Sequence, residues 1–142
     1  MTQATRLFTL EEAERTLPLV SRIVADLVAE HPAWRAGVSR YEALSLVADP
    51  TGGETAEMLA VRTDVAQRAE RIDGYLHELE EIGCMFKGFE SGLVDFPSLR
   101  NDEPVYLCWQ LGETRIVAWH EMETGFAGRQ PIDDAILSEA SA

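Results

Sequence analysis

Residues 119–131, WHEMETGFAGRQP, concentrate several side chains that are able to do chemistry. Ligand atoms for a divalent metal ion such as zinc are offered there and in the preceding segment by Asp95, Cys108, His120, Glu121 and Glu123. The spacing is a weak metal signal, because neighbours such as His120 and Glu121 point to opposite faces of a regular strand and no HExxH motif is present. His120 is a candidate metal ligand, but the pattern favours the commoner structural role, a histidine at the end of a strand that is hydrogen-bonded to the backbone or to a carboxylate.

A carboxylate placed among aromatic side chains is a second candidate for chemistry. A candidate ligand-binding set follows from this idea: Asp95, Tyr106, Trp119, Glu121 and Arg129. In one interpretation Asp95 is a general acid or base. In the other, Arg129 returns to Asp95 or Glu121 as a two-pronged donor and closes the structure. The glycines at 125 and 128 permit a tight tail, but they do not match a phosphate-binding loop.

The two cysteines are predicted to be free thiols. Cys84 and Cys108 are not in a CxxC pair, and the sequence has neither a signal peptide nor an apolar run of the ~18 residues that would span a membrane. A reducing cytoplasmic location is therefore expected. Thiol catalysis is disfavoured, because a cysteine in the middle of a strand behaves mainly as a small apolar residue.

The charge balance restricts the partners. The chain carries 25 acidic and 12 basic residues, with a formal net charge of −13, and the basic residues are scattered singly. Such a surface repels phosphate backbones and anionic lipid. Nucleic acid and membranes are therefore not expected as partners.

The N-terminal half predicts two helices. Thr9 and Glu12 fit a capping box, and apolar residues with helical spacing indicate a helix over 10–30, kinked at Pro18 and ending before Pro32. Residues 33–48 fit a continuation, a separate helix or a connection. A second helix is expected over 54–82, with a glycine cap at position 83.

The C-terminal half predicts an antiparallel sheet. Three runs rich in β-branched and aromatic residues indicate strands over 92–97, 105–111 and 114–121, and the residues after 132 suggest a short helical piece or a frayed end.

Assumed turns then set the register of these strands. A turn at Asn101–Asp102 places Asp95 opposite Cys108. A turn at Gly112–Glu113 places Trp119 opposite Tyr106, so that His120 falls on the apolar core face.

These elements predict one α+β domain over residues 1–142: a long antiparallel helical hairpin (9–82) packed on a three-stranded β-meander with a closing C-terminal tail (92–131). The apolar stripes of the helices are longer than one small sheet can cover, which favours a homodimer through the helices. The expected function is a non-catalytic binding or interaction module for a protein partner or a small-molecule ligand. The alternative is a metal-assisted or carboxylate-based, hydrolase-like enzyme that uses the sheet face and the Gly–Arg tail.

The order of several segments resembles a known family. The segments GLVDFP, VYLCWQLGE, WHE and GFAGRQP follow a helical pair that opens with FTLEEAERTLPLV. This order is similar to that of a bacterial family known as domain of unknown function 2203, over nearly the whole chain. The resemblance implies a small cytoplasmic prokaryotic protein and supplies no active site to transfer.

Overall fold

Two helices form an antiparallel hairpin in the computed structural model, which describes residues 6–138. The first helix, α1, spans Leu10–Val47, and the second, α2, spans Ala56–Ile82. The predicted capping box is confirmed: the Glu12 N–H donates to Thr9 Oγ1, and the Thr9 N–H donates to the Glu12 carboxylate. Both bonds satisfy backbone donors that a helix start otherwise leaves unpaired.

The first helix continues well beyond residue 30, where the sequence predicted its end. Pro32 lies inside α1, as Pro18 does. A proline removes one hydrogen bond from the helix, and packing against α2 offsets this loss. At Gly37 the two helices are so close that a Cβ would lie 2.7 Å from Val65 Cγ2. Tertiary contact therefore overrides the local signal, and the segment left open by the sequence is helix up to Val47.

The sheet has five antiparallel strands in chain order: β1 (Met85–Gly88), β2 (Leu93–Arg100), β3 (Glu103–Gln110), β4 (Ala118–Glu121) and β5 (Gln130–Pro131). The α+β prediction is confirmed, and the count of three strands is wrong. Both missed strands are short edge strands, which carry little periodic signal. Residues 132–138, which follow β5, are not helical; Ile136 forms an isolated bridge with Arg100.

One face of the sheet packs on the helices. Its buried side chains include Val94, Phe96, Leu107, Trp109 and Trp119, and those of the helical side include Phe8, Val20, Val24, Leu27 and Leu79. Phe8 and Phe96 meet edge to face, with ring centroids 5.3 Å apart. The opposite face of the sheet carries polar side chains, and the loop after β4 contributes to the cleft on that side.

One of the two predicted registers is confirmed and the other is wrong. Asp95 lies opposite Cys108, as predicted. Trp119, however, pairs with Leu107 rather than with Tyr106. The predicted two-residue turn is replaced by an irregular connection over 111–117, and this shifts the pairing by one residue. Such a shift exchanges the faces of a strand, so Trp119 joins the core and His120 joins the face of Asp95.

The far ends of the helices form an arm, defined as residues 29–47 of α1 and 56–71 of α2. Among the described residues, none of the arm's side chains belongs to the core cluster between helices and sheet. Ion pairs join the two helices of the arm; Glu30 of α1, for example, pairs with Arg68 and Arg71 of α2. No helix within residues 6–138 is both long and apolar enough to cross a membrane.

Candidate metal centre

Three neighbouring strands bring three potential ligands to one point, here called the polar cluster: Asp95, Cys108 and His120. Their ligand atoms all lie within 4.8 Å of one another. All three side chains are buried, with exposed fractions of 4% for Asp95, 1% for Cys108 and 2% for His120. Because buried polar groups are costly unless they are paired, this convergence requires a specific set of partners.

Hydrogen bonds fix the orientation of the His120 ring. Nδ1 lies 2.7 Å from the carbonyl oxygen of Glu121, and Nε2 lies 3.0 Å from Asp95 Oδ1. A carbonyl only accepts, so Nδ1 carries a proton and donates it. Nε2 then either donates a second proton to Asp95 or presents its lone pair to the polar cluster. The second arrangement is the usual one for a metal-binding histidine, whose other ring nitrogen donates to a carbonyl or carboxylate.

The Cys108 thiol is protonated at neutral pH in the free chain. Burial, and then the nearby Asp95 carboxylate, raise the pKa of Cys108 to about 11. A free thiolate nucleophile is therefore disfavoured. A bound metal ion changes this balance, because a coordinated thiol loses its proton.

A cleft of about 330 Å³ reaches the polar cluster. Its lining includes all three members of the cluster together with Lys87, Leu93, Tyr106, Met122, Glu123 and Phe126. The rings of Tyr106 and His120 lie 5.5 Å apart, centroid to centroid. The loop after β4 folds tightly, since a Cβ at Gly128 would lie 2.4 Å from Thr124 Cβ. The cluster is thus buried but open to a small molecule from one side.

Arg129 forms a clamp with a partner that the sequence did not predict. Its guanidinium donates to the Glu113 carboxylate at 2.8 Å and to the Cys108 carbonyl at 3.1 Å, instead of returning to Asp95 or Glu121. The ring of Phe126 lies beneath the same guanidinium, with 4.9 Å between Cζ and the centroid. Glu113 was missed because it was assigned to a two-residue turn, whereas the longer connection turns its side chain toward the tail.

The structure brings together part of the predicted ligand-binding set. Asp95 and Tyr106 line the same cleft as His120. Trp119 lies in the core instead, and its indole Nε1 donates to the Pro131 carbonyl. The Glu121 side chain is exposed and lines a separate depression beside Arg100.

Lys87, which the sequence reasoning did not single out, also lines the cleft. It is the single lysine of the chain, and this property could have drawn attention to it in the sequence.

The chain belongs to a family of uncharacterised conserved proteins, DUF2203, whose model matches residues 6–132. This confirms the family relationship expected from the C-terminal segments. The polar cluster, Lys87 and the Arg129 clamp all lie inside the matched residues. Neither the curated proteins nor the solved structures that were compared give a match.

Proposed function

We propose that the protein is a binding module for a divalent transition-metal ion, held by Asp95, Cys108 and His120. The observation that carries this proposal is the convergence of one carboxylate, one thiol and one imidazole at the inner end of a cleft, with His120 Nδ1 already anchored to a carbonyl. Imidazole and thiolate ligands with a carboxylate suit zinc, and also cobalt or iron, better than they suit magnesium or calcium.

The distances fit such an ion after a small movement. Zinc–ligand bonds of about 2.0–2.3 Å place neighbouring ligand atoms of a tetrahedral site roughly 3.3–3.6 Å apart. The Asp95 and His120 atoms are 3.0 Å apart, and the whole set lies within 4.8 Å. Side-chain adjustments of about an ångström are therefore sufficient. A tetrahedral ion held by these three ligands would have a fourth position, and the cleft that the three residues line would supply its ligand.

A buried ion pair without metal is the competing explanation of the same residues. A pair between Asp95 and His120 satisfies both side chains and gives Cys108 no role beyond packing. Cys108 therefore distinguishes the two explanations, and the chain supplies a matched control in Cys84, the other buried free thiol.

Cobalt titration tests the proposal. Co²⁺ bound to a thiolate absorbs in the near ultraviolet, and we expect one equivalent to produce this band in the wild-type protein. Cys108→Ala should abolish the band and Cys84→Ala should retain it, with zinc displacing the cobalt in both band-forming proteins. Failure of the wild type to bind at micromolar Co²⁺, or equal behaviour of the two variants, would contradict a site that uses Cys108.

Metal-assisted hydrolysis is the second candidate function, and the open cleft is the observation that favours it. Three protein ligands plus a position for water are typical of catalytic zinc sites. Glu123 lines the same cleft and is the candidate for a general base. Zinc-loaded protein should then hydrolyse an activated ester such as p-nitrophenyl acetate faster than the zinc-treated Cys108→Ala variant. Equal rates would contradict metal-assisted hydrolysis and would leave metal binding as the remaining proposed function.

Dimerisation through the helices and a reducing cytoplasmic location remain part of the proposal. Leu46, Val47 and Leu59 are exposed on the arm, which supports self-association there. Light scattering after size exclusion tests this: a dimer has twice the 15.8 kDa of the chain, and a monomer at micromolar concentration would contradict it. A thiol ligand is also better preserved in a reducing compartment.

A further inference from the structure

We propose that the cleft binds a small oxyanion, a carboxylate or phosphate group, between the open metal position and Lys87. This inference rests on the proposed metal site and adds the chemical class of the ligand. One anion oxygen enters the fourth metal position, and the ammonium group of Lys87 pairs with the remaining negative charge.

Lys87 is a cation without a carboxylate partner among the described residues of this acidic protein. Within residues 6–138, six of the eleven arginines form ion pairs with carboxylates: Arg40, Arg62, Arg68, Arg71, Arg100 and Arg129. Lys87 forms no ion pair within residues 6–138, although acidic residues outnumber basic ones 25 to 12. A cation that stays unpaired beside a cleft is available to an anionic ligand.

The sheet geometry explains how Lys87 reaches the cleft. Met85 on β1 lies opposite Asp95, and the register shifts between Phe86 and Gly88. Lys87 lies at this irregularity, two residues after Met85, and its side chain lines the same cleft as Asp95. The Lys87 ammonium nitrogen lies 5.8 Å from the centroid of the Tyr106 ring, which holds the cation on the wall that Asp95 and Tyr106 share.

The cleft limits the ligand by charge and by size. Asp95 and a Cys108 thiolate neutralise a divalent ion, so Lys87 is the cation of the cleft lining that pairs with an anion. Glu123 at the wall repels a second negative group, and Leu93 and Phe126 offer apolar contact. A volume of about 330 Å³ admits a short organic acid or a small phosphate ester.

The visible absorption bands of cobalt-loaded protein change when a ligand enters the fourth coordination position, and they therefore report anion binding directly. After removal of free Co²⁺, the wild type is titrated with acetate and, separately, with inorganic phosphate, and the change in the d–d bands gives an affinity. Lys87→Met should bind Co²⁺ as the wild type does but weaken anion binding by about tenfold or more. Lys87→Arg should retain much of the anion affinity. Arg35→Met, which removes an exposed charge from the arm, is the matched control and should change neither.

The outcomes separate the two proposals. A wild-type cobalt spectrum that neither anion changes overturns the oxyanion site and leaves the metal site standing. Failure of Co²⁺ to bind overturns both. If Lys87→Met and Arg35→Met weaken anion binding equally, the effect comes from the overall charge of the protein, and the role of Lys87 is overturned. A response to acetate alone identifies carboxylates as the ligand group, and a response to phosphate alone identifies phosphates.

Discussion

The arm and the polar cluster use charged side chains in opposite ways. In the arm, pairs such as Arg40–Glu57 lie in water, with more than half of each side chain exposed. In the polar cluster, Asp95 and His120 are removed from water and share their surroundings with a thiol. Both regions pair a carboxylate with a nitrogen donor, and they differ in how far the pair is buried.

This difference shows where function is to be sought. Exposed ion pairs stabilise a fold by at most about 1 kcal/mol each and are readily exchanged. Buried charges cost free energy unless they are fully paired, and they therefore mark functional sites more often than exposed ones do. The ion pairs of the arm join two helices, whereas the polar cluster places potential metal ligands beside a cleft.

Removal of Asp95 should have the largest effect. Asp95→Ala leaves His120 Nε2 buried without its partner, and we expect the free energy of unfolding to fall by about 3 kcal/mol in metal-free protein. Urea unfolding at pH 7 with a chelator measures this. The arm variant Asp64→Ala, which removes an exposed partner of Arg68, is the control and should lose less than about 1 kcal/mol. Similar losses in both variants would contradict the contrast between the regions.

How far the sequence predicted this contrast depends on the element. Three local signals were interpreted correctly, because the hydrogen bonds or turns involved span only a few residues. They are the Thr9–Glu12 capping box, the glycine cap after Ile82 and the Asn101–Asp102 turn. The course of α1 past Pro32 was not predictable in this way, since contact with α2 decides it.

The polar cluster was only half predicted, for a related reason. The Asp95–Cys108 pairing follows from a short turn, and the sequence placed it correctly. His120 was assigned to the wrong face because the connection over 111–117 has an irregular path. One of its bonds, from the Ile116 N–H to Glu14 of α1, joins residues far apart in the sequence. Local turn rules do not include such a contact, and they therefore gave a register that differs by one residue.

The Arg129 clamp tests whether the tail stabilises the site region. Arg129→Ala should lower the free energy of unfolding by about 2 kcal/mol, because charge-assisted hydrogen bonds to Glu113 and the Cys108 carbonyl are lost. Arg115→Ala removes an exposed arginine nearby and should change it by less than about 0.5 kcal/mol. Thermal unfolding of both variants gives the comparison. A stable Arg129→Ala protein with weakened anion binding would assign Arg129 to the ligand instead.

Cys84 lies where the helices meet the sheet and makes a pH-dependent contribution. Burial raises the pKa of its thiol from the ordinary 9.0, which we take for the unfolded chain, to about 12. Below pH 9 the thiol is protonated in both states. Between pH 9 and 12 only the unfolded chain ionises, so stability falls as pH rises, by up to about 1.4 kcal/mol per pH unit. Cys84→Ala should therefore reduce the fall in the free energy of unfolding, measured with urea, between pH 9 and 10.5. An unchanged slope would show that other groups cause the alkaline loss.

The ion pair between Arg40 and Glu57 should give the smallest effect, and it needs a double-mutant cycle. Glu57 also lies in the first turn of α2, where a negative charge is favourable toward the helix dipole. Glu57→Ala alone therefore combines two losses, of about 0.3–1 kcal/mol each. With Arg40→Ala and the double variant, the coupling energy isolates the pair, and we expect less than about 0.5 kcal/mol. It should shrink further in high salt, because both side chains are exposed. A salt-insensitive coupling of about 2 kcal/mol would mean that the arm pairs behave like the buried polar cluster.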